Sequence, residues 1–320
     1  MKQKISLSIV IPVFNEEDNI HPMYERSSNT LKNLDHDFEI IFVNDGSDDT
    51  SKKKLDAIAI QDDHVKIIHF RRNFGQTAAL MAGIDAAKGD ILIPMDGDLQ
   101  NDPSDIPRLL AKLDEGYDVV SGWRKDRQDK PIKRTLPSKA ANWLISKISG
   151  IHLHDYGCTL KAYKKGVIKD VRLYGEMHRF IPIYAYWQGG KVTEIPVMHH
   201  PRIHGQSKYG LKRTIKVILD LILVKFIEKY SQRPMYIFGG FGLFSLLFSF
   251  LCFALMLYLK YFNNKSFIQT PLPMLVVLLF LVGFMCILMG FIAEMLMRTY
   301  FESQGKSTYL VDYTCNFEDK

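Results

Sequence analysis

Residues 91–100 read ILIPMDGDLQ, and this stretch decides the fold of the N-terminal part of the chain. A short apolar run ends in two carboxylates that flank a glycine, which is typical of a buried strand followed by an acidic turn. The same pattern occurs twice upstream: SLSIVIPV at 6–13 leads into FNEE, and EIIFV at 39–43 leads into NDGSDD. The repetition indicates neighbouring strands that all end in polar turns.

The segments between these runs favour helices, and the alternation predicts an α/β domain with a mostly parallel sheet. Strands are predicted at 6–13, 39–43, 65–70, 90–95, 119–122 and 191–198, and helices at about 18–34, 50–60, 76–87, 104–115, 134–149 and 177–186. In such sheets ligands bind outside the carboxyl ends of the strands. The polar turns are therefore the candidate site.

The turn after the fourth predicted strand has the chemistry of a cation site. Asp96 and Asp98 are two residues apart and can converge on one divalent ion, with Gln100 as a neutral oxygen donor. Such hard oxygen ligands suit Mg²⁺ or Mn²⁺, which would bridge to phosphate oxygens. The alternative is a turn with solvated acids, because Asp and Gly are common turn residues.

The turn after the second strand follows the same logic. Asp45 could accept hydrogen bonds from a base or a ribose, whereas Ser47 or Asp48 could instead cap the next helix. The sequence has no GxGxxG after its first strand and no GxxxxGK[ST] motif, which disfavours dinucleotide folds and P-loop phosphate chemistry.

Two long stretches, 235–259 and 266–293, contain no charged residue. Each exceeds the roughly 20 residues needed to cross a bilayer. The helical spacing of apolar and basic residues just before them predicts a helix on the membrane surface. The predicted organisation is an N-terminal domain at 1–210, an amphipathic interfacial helix at 211–233, two spans at about 236–259 and 272–294 within 234–298, and a cytoplasmic tail at 299–320.

Charge predicts the orientation of these spans. The N-terminus lacks the features of a signal peptide, so the large domain is expected in the cytoplasm. Lys and Arg flank the expected inner ends of the spans, although Lys260 and Lys265 lie in the outer connection. Basic clusters beside spans favour contacts with anionic headgroups or a phosphate substrate over nucleic acid. The four cysteines lack the spacing of a disulfide framework or a zinc site.

Several motifs in order carry a resemblance: SIVIPVFNEE, VNDGSDD and RRNFGQTAALMAGIDAAKGDILIPMDGDLQNDP. The chain resembles the family 2 glycosyltransferases of the GT-A fold over essentially its whole length. More narrowly, it is similar to polyprenyl-phosphate glycosyltransferases, which include dolichol-phosphate mannose synthases, bactoprenol glucosyltransferases and undecaprenyl-phosphate aminoarabinose transferases. The motifs do not choose the sugar among these.

The resemblance implies an inverting transfer of a sugar from a nucleotide sugar, UDP-linked by analogy, to undecaprenyl or another polyprenyl phosphate. It implies a multi-pass enzyme of the inner (plasma) membrane that serves cell-envelope glycan or lipid modification with Mg²⁺ or Mn²⁺. It also implies a homo-oligomer, and a flippase and a periplasmic glycosyltransferase acting downstream.

Residue roles follow the family pattern position by position. The nucleotide-sugar positions are matched by Pro12, Asn15, Glu16, Asp45, Asp96, Arg202 and Lys208. The metal positions are matched by Asp96, Asp98 and Gln100, the acceptor-phosphate positions by Arg124, Arg134 and Ser138, and the catalytic positions by Asp98 and Asp155. Many relatives have Ala where this chain has Gly97, a difference expected to be silent.

The physical chemistry agrees with these roles. A lipid phosphate has a second pKa near 6 and needs positioning rather than deprotonation, which paired guanidinium contacts supply. Asp155 could orient the acceptor or stabilise an oxocarbenium-like transition state, or it could simply cap a turn. Glu176 and Arg179 in YGEMHRF lie either near the acceptor or in a surface ion pair.

Two other readings of the chain stay open at this point. A processive polysaccharide synthase would share the fold but carries a QxxRW segment, which this sequence lacks. A non-catalytic membrane scaffold with a GT-A domain would not need Asp96, Asp98 and Gln100 intact.

Overall fold

The structure, a computed structural model, describes residues 6–125, 142, 145–146, 149–168, 177–201, 235–263, 265–302 and 309–317. The chain divides into two compact units, Met1–Leu223 with Ser307–Lys320 and Val224–Lys306. The predicted helix at 134–149 falls mostly outside the described residues, and the predicted interfacial helix at 211–233 falls wholly outside them.

The first unit is built on a mixed sheet of eight described strands. The strands are β1 Ser6–Val13, β2 Asp37–Asn44, β3 Val65–Phe70, β4 Ile91–Pro94, β5 Val119–Trp123, β6 Lys161–Lys164, β7 Val192–Pro196 and β8 Val311–Cys315. Their order across the sheet is β7-β5-β6-β4-β1-β2-β3-β8. The GT-A fold predicted from the sequence has this mostly parallel centre.

Strand direction explains where the site forms. β1 pairs in parallel with β2 and β4, so the turns after these three strands meet at one edge. β6 is antiparallel to both β4 and β5, so β5 ends at that same edge and β6 begins there. The residues after β5 and before β6 therefore lie beside the acidic turns.

Helices cover the sheet because its central strands are mostly apolar and are buried along most of their length. The described helices of this unit are α1 Ile20–Lys32, α2 Ser51–Gln61, α3 Gln76–Ala86, α4 Ile106–Asp114 and α5 Ile181–Trp187. Alternate residues of β1, from Leu7 to Val13, join one buried cluster with residues of α1 and α4. α3 packs on β1 and β2, where Gly83 leaves room for Val10.

Three elements differ from the sequence prediction. Neither β6 nor β8 was expected, and both are short strands that pair antiparallel with distant parts of the chain. The helix expected from residue 177 is instead a 3-10 turn over Met177–Phe180 followed by α5. Pro182 explains the break, since proline lacks an N–H and favours the first turn of an α-helix.

The second unit is a pair of apolar helices, α6 Met235–Phe262 and α7 Leu272–Glu302. Both are long and apolar enough to cross a membrane, over Phe238–Phe262 and Leu272–Ala293. Their backbones approach closely at two glycines, because a Cβ on Gly242 would lie 2.7 Å from the carbonyl oxygen of Gly283. Two serine hydroxyls of α6 donate across the pair, Ser245 to Leu279 O at 3.1 Å and Ser249 to Val276 O at 2.8 Å.

Candidate active site

The acidic turn after β4 has a constrained backbone. Leu99 adopts a left-handed conformation with φ +61°, which is uncommon for a residue other than glycine, while its side chain is buried in the core. Asp98 is also buried, and its Oδ1 accepts the backbone N–H of Gln100 at 3.2 Å. Burying Leu99 stabilises this turn, so Asp96, Asp98 and Gln100 have fixed positions at the carboxyl edge.

Side chains from two other segments orient Asp96. Gln76 at the start of α3 donates from Nε2 to Oδ1 at 2.8 Å, and Thr159 donates from Oγ1 to Oδ2 at 2.8 Å. The backbone N–H of Asp96 donates to Asn101 Oδ1 at 3.1 Å. Each carboxylate oxygen keeps a further lone pair, so the group can still face a cation.

Asp45 is buried directly after β2, and its carboxylate accepts hydrogen bonds from the neighbouring loop. Oδ1 accepts the backbone N–H of Phe74 at 2.7 Å, and Oδ2 accepts that of Gly75 at 2.9 Å. The loop passes so close that a Cβ on Gly46, which has φ +68°, would lie 2.3 Å from the backbone of Arg72. Asp45 thereby holds the segment that leads into Gln76; its contact with a nucleotide stays a prediction.

The turns after β1 and β2 are joined through Asn15. Its backbone N–H donates to Ser47 Oγ at 3.0 Å, and its Oδ1 accepts the N–H of Asp48 at 2.9 Å. Asn15 itself has φ +54°, a region that asparagine tolerates better than most residues. Glu16 follows and accepts a hydrogen bond from Asn19 at 2.5 Å. The two predicted nucleotide turns therefore form one hydrogen-bonded group.

Pro12 lies beside the acidic turn. A Cβ on Gly97 would sit 3.0 Å from the carbonyl oxygen of Pro12, which is tighter than ordinary van der Waals contact. The Gly97 position is therefore sterically coupled to a predicted nucleotide residue, and an alanine there would require a small shift of β1. The sequence alone gave no sign of this contact.

Arg124, which follows β5, pairs with Asp155, which precedes β6. The guanidinium donates from Nε to Oδ2 at 2.7 Å and from Nη2 to Oδ1 at 3.0 Å, a bidentate geometry. The side chains are only 11% and 7% exposed. Sequence analysis gave these residues separate roles, Arg124 as an acceptor-phosphate ligand and Asp155 as a catalytic residue that orients the acceptor or stabilises the transition state. The structure brings them together as one buried ion pair.

Lys161, the first residue of β6, binds the loop that connects Asp155 to this strand. Its buried ammonium donates to the carbonyl oxygens of Tyr156, at 3.2 Å, and Cys158. Burial lowers the pKa of Lys161 to about 8 and raises the pKa of the Cys158 thiol to about 11. Lys161 thus fixes the loop that carries both Asp155 and the Asp96 partner Thr159.

Gly157 lies where two guanidinium groups converge. A Cβ at this position would be 3.1 Å from Arg124 Nη2, 3.3 Å from Arg179 Nη1 and 3.5 Å from Asp155 Oδ1. The guanidinium groups of Arg124 and Arg179 therefore both lie next to Gly157. Arg179 belongs to the site edge rather than to a distant surface, and only glycine fits beside it without displacement.

The segment after β7 is tied to the acidic turn. His200 donates its N–H to Gln100 O at 2.9 Å, and its ring contacts Asp102 Oδ2 at 2.7 Å. Burial alone would raise the pKa of Asp102, but hydrogen bonds from His200 and Ser104 lower it. His200 is therefore fixed beside Gln100.

Four predicted ligands, Arg134, Ser138, Arg202 and Lys208, lie outside the described residues. Conversely, the sequence analysis missed the parts played by Gln76, Thr159 and Lys161. Local signals existed: a polar residue directly after the glycine of RNFGQT, and a lysine between the apolar residues of TLKAY. What the sequence did not give was their convergence on Asp96 and the 155–160 loop.

Comparison with solved structures identifies the fold. Glucosyl-3-phosphoglycerate synthase from Mycobacterium tuberculosis aligns with a TM-score of 0.54 at 17% identity, covering 70% of this chain and 80% of that protein. The fold of the first unit is therefore of the GT-A type. The sequence profile named Glycosyl transferase family 2 matches residues 8–172. The chain belongs to this family and is an enzyme of the glycosyltransferase class.

Full-length relatives narrow the comparison. The chain is 42% identical to a dodecaprenyl-phosphate galacturonate synthase of Rhizobium johnstonii, over 97% of this chain and 93% of that protein. It is 36% identical to an undecaprenyl-phosphate 4-deoxy-4-formamido-L-arabinose transferase of Proteus mirabilis, over 95% and 92%. Both relatives are polyprenyl-phosphate sugar transferases, so the predicted family resemblance is confirmed.

Proposed function

We propose that this protein transfers a sugar from a nucleotide sugar, UDP-linked, to a polyprenyl phosphate at the cytoplasmic face of the inner membrane. The observation that carries the proposal is the placing of the Asp96–Asp98 turn beside the Arg124–Asp155 pair in a chain similar, end to end, to polyprenyl-phosphate sugar transferases. One group suits a metal-bound diphosphate, and the other suits the phosphate of an acceptor.

The donor set at the acidic turn fits a divalent cation. Two carboxylates and the Gln100 side-chain oxygen are hard donors, and Gln100 Nε2 donates to His200 O at 3.4 Å, which leaves its Oε1 as an acceptor. Asp96, Asp98 and Gln100 would hold Mg²⁺ or Mn²⁺, which when bound neutralises charge on the leaving nucleoside diphosphate. A solved structural neighbour, the M. tuberculosis synthase, was crystallised with Mn²⁺ and UDP.

The protein groups around the acceptor act by positioning. A lipid phosphate is largely dianionic at neutral pH, so it is already nucleophilic. Arg124 presents its guanidinium from a fixed position because Asp155 and the Lys161-bound loop hold it. Asp155 serves as the orienting partner of that arginine. Direct attack by the phosphate on the anomeric carbon breaks the bond to the nucleoside diphosphate with inversion.

A donor screen tests the proposed function. Purified enzyme in undecaprenyl-phosphate liposomes is offered radiolabelled nucleotide sugars, UDP-linked and GDP-linked, with Mg²⁺ or Mn²⁺. We expect one sugar per lipid to enter the organic phase, and EDTA to prevent it. Label in a water-soluble polymer would favour the processive synthase instead, and no transfer with any donor would contradict the proposal.

The two apolar helices form the membrane anchor in this proposal. The chain leaves the first unit before residue 224 and is back in it from residue 307, where β8 pairs with β3. In this proposal both ends of the hairpin lie on the cytoplasmic side of the membrane. A homo-oligomer, a flippase for the product and a periplasmic glycosyltransferase that consumes it complete the proposal.

Reporter fusions test this orientation. A reporter that fluoresces only in the cytoplasm should give signal when fused after Lys320, because the C-terminal strand returns to the cytoplasmic unit. The matched fusion inserted after Asn263, between the helices, should be dark. A dark but well-expressed fusion at Lys320 would contradict the hairpin.

A further inference from the structure

The C-terminal strand β8 contributes side chains to a polar cluster at the edge of the sheet. Tyr313 faces His69 of β3 in the antiparallel register, with ring centroids 4.5 Å apart. Its hydroxyl donates to Asp56 Oδ2 at 2.7 Å, and Cys315 Sγ lies 3.5 Å from Asp56 Oδ1. Asp56 belongs to α2, so the strand, the sheet and a helix meet at one carboxylate.

His69 connects Asp56 to the interior of the first unit. Its ring is fully buried, with Nε2 3.0 Å from Asp56 Oδ1 and Nδ1 3.0 Å from Asn44 Nδ2. Asn44 Oδ1 accepts the N–H of Ser47 at 3.0 Å, so the amide nitrogen of Asn44 faces the ring and donates to it. Nδ1 is therefore the acceptor, and Nε2 carries the proton that goes to Asp56.

This tautomer decides against a metal site. Asp56, His69 and Cys315 each offer a ligand atom within 4.8 Å of the others. A cation can bind at Nε2 only if that nitrogen loses its proton. If the proton moved to Nδ1, two N–H donors, those of His69 and of the Asn44 amide, would face each other. Burial also lowers the pKa of His69, which keeps the ring neutral. The cluster is a directed chain of hydrogen bonds.

The chain of hydrogen bonds ends at the predicted nucleotide turns. Asn44 directly precedes Asp45, and the Ser47 that it binds accepts the backbone N–H of Asn15 at 3.0 Å. The relay, as we call this chain of hydrogen bonds, thus connects Tyr313 to Asn15 through Asp56, His69, Asn44 and Ser47. Tyr313 follows the two apolar helices in the sequence.

We infer that His69 is a positioning residue for the nucleotide sugar, and that the C-terminal strand holds it in place through Tyr313 and Asp56. The inference rests on the proposed function, because the turns it orders are those expected to bind the donor. Residues after the second apolar helix therefore belong to the donor site as well as to the sheet.

The test removes one hydroxyl from the full-length enzyme. Tyr313→Phe keeps the ring and the strand but loses the bond to Asp56. We expect the KM for the nucleotide sugar and the Kd for UDP, measured by calorimetry, to rise roughly 2- to 30-fold, the range seen for residues that act through neighbours. The acceptor KM and the Tm should change little. Tyr186→Phe, on an exposed tyrosine of α5, is the control and should match wild type.

A double variant separates the relay from general stabilisation. If Tyr313 acts through His69 and Asn44, adding Asn44→Ala to Tyr313→Phe should cost less than the product of the two single effects on UDP affinity. Fully multiplicative effects, or a lowered Tm with unchanged UDP affinity, would overturn the inference while leaving the proposed function intact. A wild-type enzyme that binds no nucleotide would overturn both.

Discussion

Asp98→Asn is expected to reduce sugar transfer by roughly a thousandfold or more, since removing preorganised charge compensation costs several kcal/mol of transition-state stabilisation. The fold should survive, because asparagine keeps the oxygen that accepts the Gln100 N–H. Turnover with saturating donor and lipid acceptor measures the loss, and circular dichroism checks the fold.

A surface carboxylate provides the comparison for this variant. Asp114→Asn, at the exposed end of α4, makes the same change of charge away from the site and should leave turnover at the wild-type level. Near-normal turnover of Asp98→Asn in the presence of EDTA would show that the acidic turn holds no catalytic metal.

Arg124→Ala is expected to damage both stability and acceptor use. The variant removes the bidentate partner of a buried carboxylate, Asp155, and breaking a buried ion pair from one side costs up to about 3–5 kcal/mol. A lost charge-assisted hydrogen bond to phosphate, on the order of 1.5–3 kcal/mol, should lower acceptor efficiency roughly ten- to hundredfold. Nucleotide-sugar affinity should change little. Thermal unfolding and kinetics with a water-soluble polyprenyl phosphate measure the two effects.

Two further variants show whether the pair or the single charge matters. Arg124→Ala with Asp155→Ala should recover much of the stability, because the carboxylate that loses its bidentate partner is removed as well, yet it should not recover acceptor use. Arg108→Ala removes a largely exposed arginine from its contact with the buried Asp105 and should retain transfer. Normal use of the soluble acceptor by Arg124→Ala would mean that this arginine only attracts anionic headgroups. Arg134→Ala applies the same test to a predicted phosphate ligand outside the described residues.

The sequence predicted the parts of the fold that local pattern specifies. β1 and β3 have the predicted bounds, and the acidic turns lie where parallel strands must end. β6 and β8 were missed because each is only four or five residues long, and their pairing with distant strands leaves no periodic signal. Such pairing depends on tertiary contacts rather than on propensity.

The candidate site was predictable as a set of residues but not as a set of contacts. Asp155 and Arg124 were singled out separately, since nothing in DYGC or GWR shows that a bidentate pair joins them. Asp45 was expected to face a nucleotide. The sequence did not indicate that its carboxylate also accepts the backbone N–H groups of Phe74 and Gly75, because that contact depends on how the loop packs against Gly46. Side-chain partners more than twenty residues apart require the three-dimensional fold.

The serines of α6 bear on how the protein is made. Ser245 and Ser249 have their hydroxyls bonded to carbonyl oxygens of α7, and Gly242 admits the backbone of that helix. In the proposed membrane anchor, a first helix released alone into lipid would lack these interhelical bonds, at a cost that polar groups incur in hydrocarbon. During biosynthesis, α6 should therefore stay beside the insertion machinery until α7 has been synthesised, so that the two helices enter the bilayer as a pair.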